Sequence, residues 1–227
     1  MGLISGCGDD DDNGPAPSGS MLLLINTVNT NTQVKLLLES QELVTVTGHG
    51  AANKYITVPS DTVLTVQTNQ DEFDVDLGLT TNEFYSVYIL EDDDDADISI
   101  FRDHFPNDGQ TTLVLANMSS ENTGDVKFAF INPSTSDTLG FEDIFPGANP
   151  VLEHDDVTGL NFTATSLRLN LFATHQVVIL DADDDSPLAG GTANDVFPML
   201  SDYSYSLVFA GEPGNYSIFQ VSHTTAR

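Results

Sequence analysis

Two short runs of carboxylates are the first places in this sequence where chemistry could happen. They are Glu91-Asp92-Asp93-Asp94-Asp95-Ala96-Asp97 and Asp181-Ala182-Asp183-Asp184-Asp185-Ser186. A hard cation such as Ca2+ takes roughly six to eight oxygen ligands, so Asp92, Asp94, Asp181, Asp183 and Asp185 are the candidate metal ligands. The second run has Asp at the first, third and fifth positions of an EF-hand loop. Ser186 stands where that loop needs glycine, and Thr192 where it needs glutamate. The competing reading is two solvated loops on a chain that is acidic throughout, with 35 Asp and Glu against 6 Lys and Arg and a net charge of −29.

Other constellations are weaker. The five histidines, His49, His104, His154, His175 and His223, include no pair spaced to share a metal on one strand or helix face. His154-Asp155-Asp156 is a possible transition-metal corner. His104 and His223 end what read as equivalent strands, which favours a structural role at a domain edge. No Gly-x-Ser-x-Gly elbow is present for a serine nucleophile. Ala189-Gly190-Gly191-Thr192 lacks the following lysine of a phosphate loop and reads as a turn. Tyr55, Tyr85, Tyr203, Tyr205, Tyr216, Phe128, Phe130, Phe172 and Phe209 could form a carbohydrate platform. The absence of tryptophan and their place in strand runs favour core packing. Six basic residues are too few to neutralise phosphates, so nucleic acid is excluded as a partner.

The one thiol is Cys7, in Met1-Gly2-Leu3-Ile4-Ser5-Gly6-Cys7-Gly8. An apolar residue, two small residues and a cysteine resemble the lipobox of bacterial lipoproteins. The resemblance implies a lipid anchor on Cys7, and Gly8 after it implies the outer membrane. Residues 8–20 are almost all Asp, Asn, Gly, Pro and Ser, a composition that predicts a disordered acidic tether. A single cysteine rules out a disulfide framework.

From residue 21 onward strand signals dominate. Residues 34–38, 62–66, 97–100, 126–130 and 167–171 alternate or are rich in β-branched and aromatic residues. Clusters such as Pro59-Ser60-Asp61, Asn132-Pro133-Ser134 and Glu212-Pro213-Gly214-Asn215 separate strand runs. Helix should be scarce. An internal repeat sharpens the picture. Phe84-Tyr85-Ser86-Val87-Tyr88 leading to Ile98-Ser99-Ile100-Phe101 matches Tyr205-Ser206-Leu207-Val208-Phe209 leading to Tyr216-Ser217-Ile218-Phe219. Leu22-Leu23-Leu24-Ile25-Asn26 likewise matches Leu113-Val114-Leu115-Ala116-Asn117. The expected fold is all-β, two tandem antiparallel Ig-like β-sandwiches over residues 21–105 and 111–227, joined at residues 106–110.

Tyr55-Ile56-Thr57-Val58-Pro59 and the closing stretches 79–86 and 200–206 resemble the tandem bacterial envelope domains of domain-of-unknown-function family 4397. That resemblance implies Ig-like sandwiches on secreted or lipid-anchored proteins and no particular activity. The expectation is a non-enzymatic envelope lipoprotein that binds or scaffolds at the cell surface, with a protein or glycan partner. The alternative is a calcium-dependent adhesion or carbohydrate-binding module. A hydrolase would need acid and base groups converging in a cleft between the sandwiches.

Overall fold

The computed structural model describes residues 19–28, 33–69, 71–92, 95–148 and 151–223. Residues 1–18 of the predicted tether, with Cys7, lie outside them; its last residue, Ser20, is instead buried and opens the first strand, with its hydroxyl on the Thr80 carbonyl. The first half comprises β1 (Ser20–Asn26), β2 (Gln33–Leu38), β3 (Gln41–Thr47), β4 (Ile56–Val58), β5 (Val63–Gln67), β6 (Glu72–Asp76), β7 (Phe84–Asp92) and β8 (Asp95–Arg102). The second comprises β9 (Gln110–Ser119), β10 (Val126–Ile131), β11 (Thr138–Gly140), α1 (Phe141–Ile144), β12 (Val151–Leu152) and β13 (Val157–Thr163). It continues with α2 (Ser166–Thr174), β14 (Gln176–Asp181), β15 (Pro187–Gly190), β16 (Ser204–Glu212) and β17 (Asn215–His223).

Each half is a pair of sheets, and the strand order repeats. The sheets β4-β1-β7-β8 and β3-β2-β5-β6 of the first half match β13-β9-β16-β17 and β11-β10-β14-β15 of the second, where β12 adds to β10. Pairing is antiparallel except for β1 with β7 and β9 with β16, which run parallel. The chain must cross to the other sheet and back between those strands, so a hairpin cannot join them.

The hydrophobic pattern explains the layering. In β5, Leu64 and Val66 point inward while the residues between them face solvent, the alternation of a half-buried strand. β1 breaks the alternation: Leu22 and Leu24 enter the core of the first sandwich, and Leu23 and Ile25 enter a different cluster. The same split occurs in β7, where Val87 and Ile89 face one way and Tyr88 and Leu90 the other. β9 and β16 repeat it, with Leu115 and Leu207 in their own core and Ala116, Met118, Val208 and Ala210 in the shared cluster. These four strands are apolar on both faces because two sheets, one from each sandwich, pack against each other. The molecule is a stack of four sheets with three apolar layers.

The two sandwich cores differ in kind. The first is aliphatic, built on Leu22, Leu24, Val34, Leu36, Leu64 and Val66. The second is aromatic: Phe130, Phe141, Phe145, Phe162 and Phe172 meet ring to ring at 4.6–6.2 Å.

One strand expectation fails. Leu167-Arg168-Leu169-Asn170-Leu171 lies in α2, not in a strand. Thr165 caps the helix by accepting the Arg168 N–H, and Phe172 is fully buried beneath it. The Arg168 guanidinium lies over the rings of Phe145 and Phe162, at 5.4 and 5.9 Å. α2 occupies a connection that the first sandwich makes with the short turn from β4 to β5. Among the described residues no helix is long and apolar enough to cross a membrane.

Candidate functional site

The densest cluster of chemically capable side chains lies in the seam between the sandwiches. Asp103 follows β8, and its carboxylate accepts hydrogen bonds from Ser86 Oγ at 2.9–3.0 Å and from the Tyr55 hydroxyl at 2.7 Å. His223, the last residue of β17, places Nδ1 3.2 Å from Asp103 Oδ1, and neither side chain has any exposure. An ionised carboxylate only accepts, so Nδ1 carries the proton and donates. On its far side, His223 Nε2 pairs with Ser206 Oγ at 2.8 Å, and Ser206 pairs with the Tyr88 hydroxyl at 2.7 Å. The chain therefore runs Tyr55–Asp103–His223–Ser206–Tyr88 and crosses between the sandwiches twice. Burial, and then the Asp103 charge, push both the Tyr55 and Tyr88 phenols far above their ordinary value, so both remain neutral donors.

Strand register shows why these residues meet. Tyr85 faces Arg102 across β7 and β8, and Tyr205 faces Ser222 across β16 and β17. The repeat aligns Tyr85 with Tyr205 and Ser86 with Ser206, so Asp103, and not His104, is the counterpart of His223. His104 is exposed, with Nδ1 on the Arg102 carbonyl. Equivalent positions that touch each other lie on a local two-fold axis, and the neighbouring contacts obey it. Gly50 packs under the Phe219 ring, and its counterpart Asp155 accepts from Ser99, the counterpart of Phe219. Tyr55 fills space at the position where the second sandwich has Gly159, and Phe101 fills the space over Gly159. The seam is thus built like a homodimer interface in which one bulky residue on each side is offset by a small one.

Ser206, His223 and Asp103 stand in the order of a nucleophile, base and orienting acid. Ser206 is completely buried, and the little exposure that His223 and Asp103 have, 2% and 5% of each residue, belongs to their backbones. A nucleophile must touch its substrate, and this hydroxyl faces the Tyr88 hydroxyl within a packed apolar layer. What the arrangement can do is fix the register of two apolar faces that would otherwise slide, because each polar group is satisfied in one alignment only. Ser204, directly opposite His223 in the β16–β17 ladder, is the exception: its buried hydroxyl has no partner among the described residues.

The acidic candidates are dispersed. Asp92 closes β7 at the tip of the β7–β8 hairpin; its side chain and Asp94 fall outside the described residues. Asp181, Asp183 and Asp185 lie at the β14–β15 turn, in a different sheet of the other sandwich. There Asp181 Oδ1 accepts the Asp183 N–H at 2.8 Å, and Asp185 Oδ1 receives the Lys127 ammonium at 2.9 Å. Hydrogen bonds from Ser186 hold the Asp184 carboxyl below its ordinary value. Asp181 and Asp184 stabilise the turn by accepting the backbone N–H groups of Asp183 and Ser186. Among the described residues no three His, Cys, Asp or Glu side chains group as metal ligands do.

The remaining candidates are structural contacts. His154 Nδ1 pairs with the Ser119 carbonyl at 2.6 Å, and His49 bridges the Val28 carbonyl and Ser217 across the seam. Tyr85, Phe128, Phe130, Phe172, Tyr205 and Phe209 are buried, and Tyr203 is exposed. The seam network escaped sequence reasoning, although one signal for the seam itself was present: the uninterrupted apolar runs of β1, β7, β9 and β16.

The chain matches no protein-family model, and no curated protein matches it. Among solved structures it is similar to CBMbc, a CBM26-family protein from Eubacterium rectale Amy13K in complex with maltoheptaose. The identity is 9% over 88% of this chain and 95% of that one, with a TM-score of 0.26. It is also similar to the fimbrial anchor protein Mfa2 from Porphyromonas gingivalis, at 7% identity over 90% and 97% of the two chains and a TM-score of 0.23. Likeness at these scores identifies neither a ligand nor an activity for this chain.

Proposed function

We propose that this protein is a non-enzymatic lipoprotein of the bacterial envelope, anchored through Cys7, that presents a stiff two-sandwich body for binding or scaffolding at the cell surface. The observation that supports this most is the fusion of the two sandwiches. β1, β7, β9 and β16 are buried on both faces, so the pair behaves as one block. A hinged pair of domains would expose such faces on opening. The outer faces of the sheets containing β2 and β10 pack against no further sheet among the described residues and are the surfaces available to a partner. The acidic, apolar-poor stretch between Cys7 and Ser20 supplies the spacer that would hold the block off a membrane.

The anchoring half of the reading is tested in native cells by palmitate labelling, detergent phase partition and external protease. The wild-type protein takes up label, enters the detergent phase and is cut from outside, whereas Cys7→Ser leaves it unlabelled and aqueous. An unlabelled wild-type protein in the soluble fraction overturns the anchor.

A further inference from the structure

The outer face of the sheet β11-β10-β14-β15 carries a groove of about 510 Å3, in the range that accommodates a small ligand or a long side chain. Its floor is aliphatic. Ala129 and Ile131 of β10 and Val178 and Leu180 of β14 point outward, alternating with the core-facing Phe128, Phe130, Val177 and Ile179; Ala129 and Val178 are themselves covered, so the accessible apolar lining is Ile131, Leu180 and Pro187. An outward aliphatic row departs from the polar-out alternation seen in β5. The rim is charged: Glu142 and Asp143 of α1 on one wall, Asp185 at another, and Lys127 as the one cation in the lining. Lys127 is already committed to Asp185 at 2.9 Å. Asp143 accepts the Gly140 N–H at 3.1 Å, and Glu142 is exposed and makes no ion pair among the described residues.

We propose that this groove docks a lysine or arginine side chain of a partner protein. The inference rests on the binding reading under Proposed function and names the partner chemistry of one of its two open faces. Three carboxylates against one ammonium leave the groove two charges negative, which selects a cation. The accessible side chains of Ile131, Leu180 and Pro187 suit the methylene stem that lysine and arginine carry below their charged heads. An anionic ligand would meet the excess of carboxylates. A sugar ring would find no exposed aromatic plate, because the one ring in the lining, Phe128, is 1% exposed.

The test is a titration of the 15N-labelled protein with acetyl-trilysine amide at about 150 mM salt, where contacts between exposed distant charges are largely screened. Acetyl-trialanine amide and acetyl-triglutamate amide are the controls. The expected result is a set of amide shifts confined to 127–131, 138–143 and 178–187 that only the lysine peptide produces. Glu142→Lys should weaken binding about tenfold or more, and Lys127→Ala, which releases Asp185, should strengthen it about threefold. Asp74→Lys, the same charge change on exposed β6 of the other sandwich, should leave affinity unchanged. The proposal is overturned if no shifts occur, if they spread over acidic turns in both sandwiches, or if Asp74→Lys weakens binding as much as Glu142→Lys. None of those results touches the anchor, which palmitate labelling reads separately.

Discussion

Replacing His223 by alanine removes the donor that faces Asp103 and leaves that carboxylate in a layer with no exposure of its side chain. Removing the donor of a hydrogen bond to a buried carboxylate costs about 1.5–3 kcal/mol. Asp103 keeps the Ser86 and Tyr55 hydroxyls as donors, which places the expected loss inside that range, at about 2 kcal/mol. For a chain of this size each kcal/mol lowers Tm by about 2–4 °C, so the melt should fall by roughly 4–8 °C. The assay is urea unfolding followed by far-UV circular dichroism and by tyrosine fluorescence, which is usable because the chain has 6 Tyr and no Trp. Both probes should give one coincident transition, since the sandwiches share an apolar layer. His223→Asn restores an N–H near the Nδ1 position and should recover a large part of the loss. The cycle with Asp103→Asn should show coupling above about 1 kcal/mol. A His223→Ala loss below about 1 kcal/mol, or strictly additive effects of His223→Ala and Asp103→Asn, would refute the assignment of the seam to this pair.

Four further outcomes are expected. A β-carbon at Gly159 would lie 2.7 Å from Cζ of Phe101, so Gly159→Ala should destabilise by about 1–3 kcal/mol in urea, with partial rescue by Phe101→Leu. The folded state keeps the Tyr55 and Tyr88 phenols neutral well above the value of about 10 at which unfolded tyrosine ionises. Stability is therefore fully present below about pH 10 and falls as the pH rises past it; urea midpoints between pH 8 and 11 should show that decline, shallower in Tyr88→Phe. Ser204→Ala removes a buried hydroxyl without a partner among the described residues, so its thermal melt should equal or exceed that of the wild type. On α2, Phe172→Ala should cost about 3–5 kcal/mol by calorimetry, whereas Leu167→Ser, at a residue 76% exposed, should change stability by under about 0.5 kcal/mol.

Much of the architecture is written locally. The alternation through Leu64 and Val66 on β5, and through Val126, Phe128 and Phe130 on β10, makes strands whatever surrounds them, and turn residues such as Pro213-Gly214 separate them. The uninterrupted run Leu22-Leu23-Leu24-Ile25 states that β1 is covered on both sides, without saying by what. Where the local signal served two periods at once, it failed. Leu167-Arg168-Leu169-Asn170-Leu171 alternates like a strand, and it became α2 because Phe172 and Arg168 find the rings of Phe145 and Phe162 from a helix. The seam network was beyond local reading altogether. Tyr88 and Ser206 are 118 residues apart in the chain, and Tyr55 and His223 are 168 apart. Which hydroxyl meets which imidazole depends on how two finished sheets stack. Strand periodicity therefore determined that this chain forms β-sheets with two-faced central strands. Only the packing of sheet on sheet decided that Asp103, and not its neighbour His104, lies on the axis against His223, because a shift of one residue along a strand turns the side chain to the other face.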